Sequence, residues 1–153
     1  MTEPLARHRL KTWIRLLRAT RTIEAELREF LRVEHDSTLP RFDVLAALHR
    51  ADGELTMGEL SQQLLVSNGN ATAVVDRLER DGLVRRAPSP ADRRVVRVGL
   101  TAAGAAHFDA QAAPHAARVD ALFSGLGGHD LDLLDDLLHR LEAHLHPEPK
   151  GTR

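Results

Sequence analysis

Residues 83–104 read LVRRAPSPADRRVVRVGLTAAG, and the rest of the chain is organised around them. Leu83–Ala87 and Val95–Leu100 have the composition of two short strands, with Val95 and Val96 β-branched, in a chain otherwise almost without such runs. Pro88, Ser89, Pro90, Ala91 and Asp92 between them are turn chemistry: proline presets φ, and serine and aspartate bond nearby backbone. The stretch predicts a hairpin. Five arginines against one aspartate in residues 84–97 give it a net charge of +4. Thr101 is suited to cap a helix over roughly 102–123, and Pro114 predicts a kink inside it.

Upstream, Asp81-Gly82 closes a helix that buries Ala71, Val74, Val75 and Leu78 on one stripe and has Ser67 as N-cap. Val66–Asn68 joins it to a preceding helix carrying Leu60, Leu64 and Leu65. That helix opens with Thr56-Met57-Gly58-Glu59, a capping box in which the threonine hydroxyl meets the amide three residues on and the glutamate reaches back. Before it, Pro40 fits the first turn of a helix over 41–50, which ends at a glycine stop, Ala51-Asp52-Gly53. A long first helix runs from Leu5 to about Val33, with Leu10, Trp13, Ile14, Leu17, Ile23, Leu27, Phe30 and Leu31 spaced by threes and fours. Downstream, Gly125, Gly127 and Gly128 break the chain before a last helix from Asp130, with Leu134, Leu138, Leu141 and Leu145 on a seam.

The order is two helices, a helix–turn–helix pair, an Arg-rich hairpin and two helices. This predicts a mainly α fold with a small β-hairpin wing: a winged helix–turn–helix over 37–101, flanked by terminal helices at 1–36 and 102–146, with a flexible tail at 147–153. The second helix of the pair is short enough for the major groove, and the hairpin can set arginine on phosphate or in the minor groove. Leucine-rich helices at both chain ends predict a homodimer. Twofold symmetry would then place two recognition helices about 34 Å apart, to read a pseudo-palindromic site in double-stranded DNA.

Composition bounds the alternatives. The chain of 153 residues is 42% hydrophobic and 28% charged, which reads as one globular domain or protomer. No run of ~18 apolar residues predicts a membrane span, and the N-terminus meets charge before any apolar run, unlike a secretory signal. The absence of cysteine excludes disulfides, thiolate metal sites and thiol-based redox sensing. The net charge of −1 hides an asymmetry: residues 1–32 carry eight basic and four acidic side chains, residues 101–146 two and seven. Nineteen of the 21 basic residues are arginine, whose planar fork suits phosphate and guanine. No phosphate-binding glycine loop, G-x-S-x-G elbow or HExxH motif points to an enzyme.

Residues 83–104, together with the helix–turn–helix LTMGELSQQLLVSNGNATAVVDRLERDGLV, resemble the MarR family of bacterial transcriptional regulators over about Leu5 to Leu145. The matching marks are a helix ending in DGLV, Asp-x-Arg at the wing, and a strand running into LT-x-x-G. The resemblance implies a DNA-binding regulator, expected to be a repressor, in a bacterial cytoplasm and associated with the nucleoid. Residue by residue, it implies that Ser67, Asn68, Gly69, Asn70 and Thr72 open the recognition helix toward DNA. Arg77 would meet a phosphate. Asp92 would hold Arg94 at the wing, with Arg93 beside it, and Arg86 would extend the basic patch. Asparagine and glycine stand where many relatives carry a basic residue near the start of this helix, so base preference does not carry over. A structural reading stays open for each: Ser67 and Asn68 as caps, Arg77 on a solvated face.

The family's effector pocket lies among the first, second and fifth helices. Here Arg7, Lys11, Arg15 and Arg18 form a stripe, with Trp13 and Phe42 as flat walls. Trp13, Arg15, Phe42 and His49 are therefore the candidate effector site, for a small aromatic carboxylate or its CoA thioester. The alternative for this stripe is a solvated face with Trp13 as core. His107 and His115 lie eight apart with Gln111 between them, which departs from the ligand set of zinc-sensing relatives. No metal or cofactor is expected. The competing reading of the whole chain is a small-molecule-binding or protein-interaction module that no longer reads DNA. The arginines of the hairpin argue against it.

Overall fold

The computed structural model describes residues 2–64 and 68–146. Ser67 and the 147–153 tail lie outside the described residues. The elements in chain order are α1 (Thr2–His35), α2 (Leu39–Ala51), β1 (Leu55–Thr56), α3 (Met57–Leu64), α4 (Asn68–Arg80), β2 (Val84–Pro88), β3 (Val96–Leu100), α5 (Ala102–Phe123) and α6 (Gly128–Leu145). Mainly helical with a small antiparallel sheet, this is the winged helix–turn–helix expected from the order of periodicities. Residues 1–118 and 119–153 form two compact units.

In the first unit the core is built on α2. Phe42, Val44, Leu45, Ala46, Ala47 and Leu48 are all buried, joined by Leu31 of α1, Leu60 of α3, Val75 and Leu78 of α4, Val84 and Val98 of the sheet, and Phe108 of α5. Burial on nearly every face explains why α2 lacks a clean amphipathic stripe: it is the central helix of the bundle. Thr38 caps it, its hydroxyl accepting the Arg41 amide at 3.4 Å, and Pro40 sits in the first turn. The stop differs from the expected glycine. Asp52 takes the left-handed conformation, φ 48° and ψ 44°, which a short polar side chain tolerates. Among the described residues, no helix is long and apolar enough to cross a membrane.

The sheet has three strands in the order β1-β3-β2, where the sequence pointed to two. Leu55 and Thr56 pair with Val98 and Arg97 on the free edge of β3, a segment too short to show periodicity. The capping box that follows differs from the expected one in a single bond. The Thr56 hydroxyl accepts the Glu59 amide at 3.1 Å as expected, but the Glu59 carboxylate returns to that hydroxyl, at 3.1 Å. β2 and β3 pair from Val84↔Leu100 to Pro88↔Val96, one residue later than predicted at each start.

Two junctions explain the motifs flanking the hairpin. After α4, Gly82 adopts φ +72°. Its N–H donates to the Glu79 carbonyl at 3.0 Å and that of Leu83 to Leu78 at 2.9 Å, the paired bonds of a Schellman stop. At the start of α5, the Thr101 hydroxyl accepts the Gly104 amide at 3.0 Å and donates to the Gly82 carbonyl at 2.6 Å, while the Thr101 N–H donates to the Leu83 carbonyl at 3.1 Å. Gly104 packs so closely that an added Cβ would lie 1.8 Å from the Leu83 carbonyl oxygen. DGL and LTAAG are thus two halves of one joint that seats α5 on the end of α4.

In the second unit, α6 starts at Gly128, two residues earlier than predicted. Asp130 is not its first residue but lies inside the first turn, its carboxylate accepting the Gly127 amide at 3.0 Å. No residue of α6 is buried. Leu131, Leu133, Leu137, Leu141 and Leu145 stand exposed, as do Leu5, Leu10, Trp13 and Ile14 of α1.

Candidate nucleic-acid interface

The face presented by α4 follows from its helical wheel. Ala71, Val75 and Leu78 are buried, so at 100° per residue Gly69, Ala73 and Arg80 point outward. All three are exposed. The small residues leave the helix surface open to close approach. Asn70 and Thr72 flank that face and both engage neighbouring groups. Of the residues expected at the helix start, Gly69, Asn70 and Thr72 lie on the first turns of α4. The side chain of Asn68, like Ser67, lies outside the described residues.

On the flank toward the sheet, α4 carries Asp76 and Glu79, one turn apart. Arg86 of β2 answers both. Its guanidinium lies 2.6 Å from the Asp76 carboxylate and 3.1 Å from that of Glu79, and its backbone N–H donates to Glu79 at 2.9 Å. This double bond to Arg86 holds the Glu79 carboxyl below its ordinary value, and Glu79 in turn raises the guanidinium. The structure therefore places Arg86 as a clamp between β2 and α4, and not as a free cation of the basic patch. It neutralises two carboxylates that would otherwise repel a polyanion. The signal in the sequence was the pair Asp76 and Glu79 on one helical face, which favours a cation on a neighbouring element.

The wing tip is shaped by Asp92. Its carboxylate accepts the Arg94 amide at 3.0 Å, and its carbonyl accepts the Val95 amide at 3.0 Å. The Ser89 N–H closes the loop onto the Val95 carbonyl at 2.7 Å. The Arg94 side chain is 94% exposed, its Nε 3.6 Å from Asp92, and Arg93 is exposed beside it. An aspartate spent on the turn leaves two guanidiniums projecting into solvent, an arrangement suited to phosphate or a narrow minor groove. Arg85 lies 3.9 Å from Glu54, and Arg97 donates to Ser89 at 3.4 Å. On the opposite flank of α4, Arg77 is exposed.

The four residues expected to hold an effector do not meet in one chain. Phe42 is buried, stacked on His115 at 4.1 Å and tilted against Phe108 at 5.5 Å; His49 lies on Phe108 at 4.6 Å and 3.7 Å from Asp109. Burial against Phe42 lowers the His115 pKa from its ordinary value. Trp13 and Arg15 are exposed on α1. The part of α1 that packs into the core, Leu27 and Leu31, is some 12 to 18 residues further on, about 18–27 Å at 1.5 Å per residue. What α2 does gather is an aromatic group shared with α5. Sequence reading missed Phe108 and the stacking role of His115, because their partners lie more than 50 positions away. His107 bonds Gln111 at 3.1 Å. Among the described residues, no three histidine or carboxylate side chains converge to hold a metal.

Comparison with known proteins agrees with this architecture. The model of the MarR family matches residues 35–95. The HTH-type transcriptional regulator MhqR of Bacillus subtilis (strain 168) is 30% identical over 132 residues, which are 86% of this chain and 90% of MhqR. A mutant MarR from E. coli, solved in complex with operator DNA, superposes with a TM-score of 0.73 at 32% identity, covering 83% of this chain and 91% of that one. BpsR of Bordetella bronchiseptica, whose structure bears on regulation of its DNA binding by 6-hydroxynicotinic acid, gives 0.76 at 26% identity over 86% and 98%. With a relative matching along nearly its whole length, and with the helix–turn–helix, the wing and the joint between them in place, the chain belongs to the MarR family of winged helix–turn–helix transcriptional regulators and is not an enzyme.

Proposed function

We propose that this regulator is a repressor that binds an inverted-repeat operator as a homodimer and is released by a small aromatic acid or its thioester. The observation that carries the DNA reading is the wing: Arg93 and Arg94 project from a turn built by Asp92, beside a recognition helix whose outward positions are Gly69 and Ala73. The helix reads base edges through Asn70, Thr72 and the residues before them, and the wing takes backbone or minor groove. The E. coli relative bound to operator DNA supports this reading. The dimer is supported by apolar surface that one chain leaves uncovered: Leu5, Leu10, Trp13 and Ile14 on α1 and the exposed leucines of α6.

The effector class is supported by BpsR, which responds to an aromatic carboxylate, and by the α2–α5 aromatic group of Phe42, His49, Phe108 and His115. A flat acid entering there would separate α5 from α2. It would lower DNA affinity by its preference for the separated state. Trp13 and Arg15 belong to this site only if a second copy brings its α1 to that edge. The test is a mobility-shift titration on the DNA upstream of the gene, followed by aromatic acids on the preformed complex. A shift at low protein concentration, an inverted-repeat footprint and release by an aromatic acid are expected. A folded dimer that shifts no duplex at low salt would remove the DNA reading.

A further inference from the structure

We infer that Arg41 is a positioning residue for DNA recognition: through Asp81 it ties the C-terminal end of α4 to the first turn of α2, and together with Arg86 it fixes how the recognition helix is turned toward DNA. This inference rests on the DNA-binding reading above.

In the DGL motif, Gly82 and Leu83 make the helix stop and the joint with α5, and the Asp81 carboxylate takes part in neither. Its position is electrostatically poor. The Asp81 N–H still donates to the Arg77 carbonyl at 3.1 Å, so the carboxylate stands at the negative end of α4, where a cation is favoured and an anion is not. Arg41 answers it. The guanidinium Nη2 lies 2.6 Å from Asp81 Oδ2, across 40 positions of sequence. The Arg41 side chain is only 20% exposed, so its charge is held at the pair and not offered to solvent. Such a charge-assisted bond is directional.

The pair removes a freedom that packing leaves. α4 meets the core through Ala71, Val75 and Leu78. Apolar burial is non-directional, so it holds the helix against the core without fixing its rotation about its own axis. Arg86 grips Asp76 and Glu79 from the sheet side. At 100° per residue, Asp81 lies about 140–160° round the helix from those two carboxylates, so the bond to Arg41 pulls from the opposite flank. A rotation of α4 that slackens one tie stretches the other. The anchor is firm, because α2 is buried from Val44 to Leu48 and the Arg41 N–H is held by the Thr38 cap. Contacts to base edges need donor–acceptor distances of about 2.7–3.2 Å, so a helix free to turn would lose base contacts made elsewhere on its surface.

Charge alone and positioning predict opposite signs. Asp81→Asn removes a negative charge from the helix–turn–helix and Asp81→Arg replaces it with a positive one; by charge, both would tighten binding to a polyanion. Fluorescence anisotropy measures binding of the labelled upstream duplex at several salt concentrations. The proteins are wild type, Asp81→Asn, Asp81→Arg, Arg41→Asp and the exchange Arg41→Asp/Asp81→Arg, each at a temperature where circular dichroism shows it folded. Asp81→Asn and Asp81→Arg are expected to bind about three- to tenfold more weakly than wild type, the former with the wild-type salt slope because no phosphate contact is lost. The exchange keeps the net charge of wild type and sets each charge at a helix end whose dipole favours it. It is expected to bind more tightly than either single substitution. An Asp81→Asn protein that binds as tightly as wild type, or more tightly, overturns the inference, even if its unfolding temperature falls, since the pair then serves stability alone. An exchange no better than its single substitutions also overturns it, because the two side chains would be acting apart. Failure of wild type itself to bind any duplex is the separate result that overturns the DNA-binding reading and this inference with it.

Discussion

Gly104→Ala sets two physical effects against each other with opposite signs. Alanine in place of glycine within a helix is favoured by about 1 kcal/mol on propensity alone. Here the new Cβ would stand 1.8 Å from the Leu83 carbonyl oxygen and 2.8 Å from its carbon. Both obstacles are backbone, so no rotamer change relieves them. Since real Cβ atoms do not approach within 3.0 Å, α5 and the end of α4 must separate by at least about 1.2 Å. That movement strains the bond from the Thr101 N–H to the Leu83 carbonyl and the hydroxyl bridge from Thr101 to Gly82. Overpacking costs about 1–3 kcal/mol, and losing a cap and a hydrogen bond costs about 1 kcal/mol each. After the propensity gain, a net loss of roughly 2–4 kcal/mol is expected, a fall in Tm of about 5–15 °C for a chain of this size. Urea and thermal unfolding of the pair measure it. A variant as stable as wild type, or more so, would refute the joint between DGL and LTAAG as described.

Gly82→Ala should cost about 1 kcal/mol in urea unfolding, and Gly82→Asn less, because only the left-handed backbone at φ +72° is at stake and the space around it is open. His115 is held neutral by burial against Phe42, with its pKa below the ordinary 6.5. The unfolded chain therefore takes up its proton first, and stability should fall as pH drops below about 6.5 and stay flat in this respect above it; His115→Phe should lessen that slope in Tm measured from pH 8 to 5. Arg86→Ala should weaken DNA binding at least roughly tenfold by exposing Asp76 and Glu79 to phosphate. Asp76→Asn should gain more affinity in the Arg86→Ala background than in wild type, an excess that loss of a direct Arg86–DNA contact would not produce.

Much of this molecule was legible because its local signals are strong and agree with one another. Thr56 and Thr101 each cap the helix that follows, Gly82 ends α4, and the prolines and Asp92 turn the wing. What escaped was set by distance. β1 has two residues and exists only because β3 offers an edge. The left-handed residue after α2 is Asp52 and not the adjacent glycine, a choice made by how the chain leaves the bundle. Arg86 read as one more cation in a basic hairpin until the fold brought Asp76 and Glu79 to it. Trp13, Arg15, Phe42 and His49 were grouped on the family resemblance, and sequence spacing does not show whether a single chain brings them to one place. α1 is one continuous helix, and its rise alone separates Arg15 from the part that packs on α2.

The central claim is that the projecting wing arginines hold DNA while the structure behind them does not depend on them. The most direct test is the salt dependence of affinity for the upstream duplex, by anisotropy from 50 to 200 mM salt, for wild type and Arg94→Ala. Wild type should bind with a steep slope. Arg94→Ala should lose about 1–3 kcal/mol of affinity with a flatter slope, at unchanged thermal stability, because its side chain is 94% exposed. An Arg94→Ala protein with wild-type affinity and wild-type slope would contradict the account.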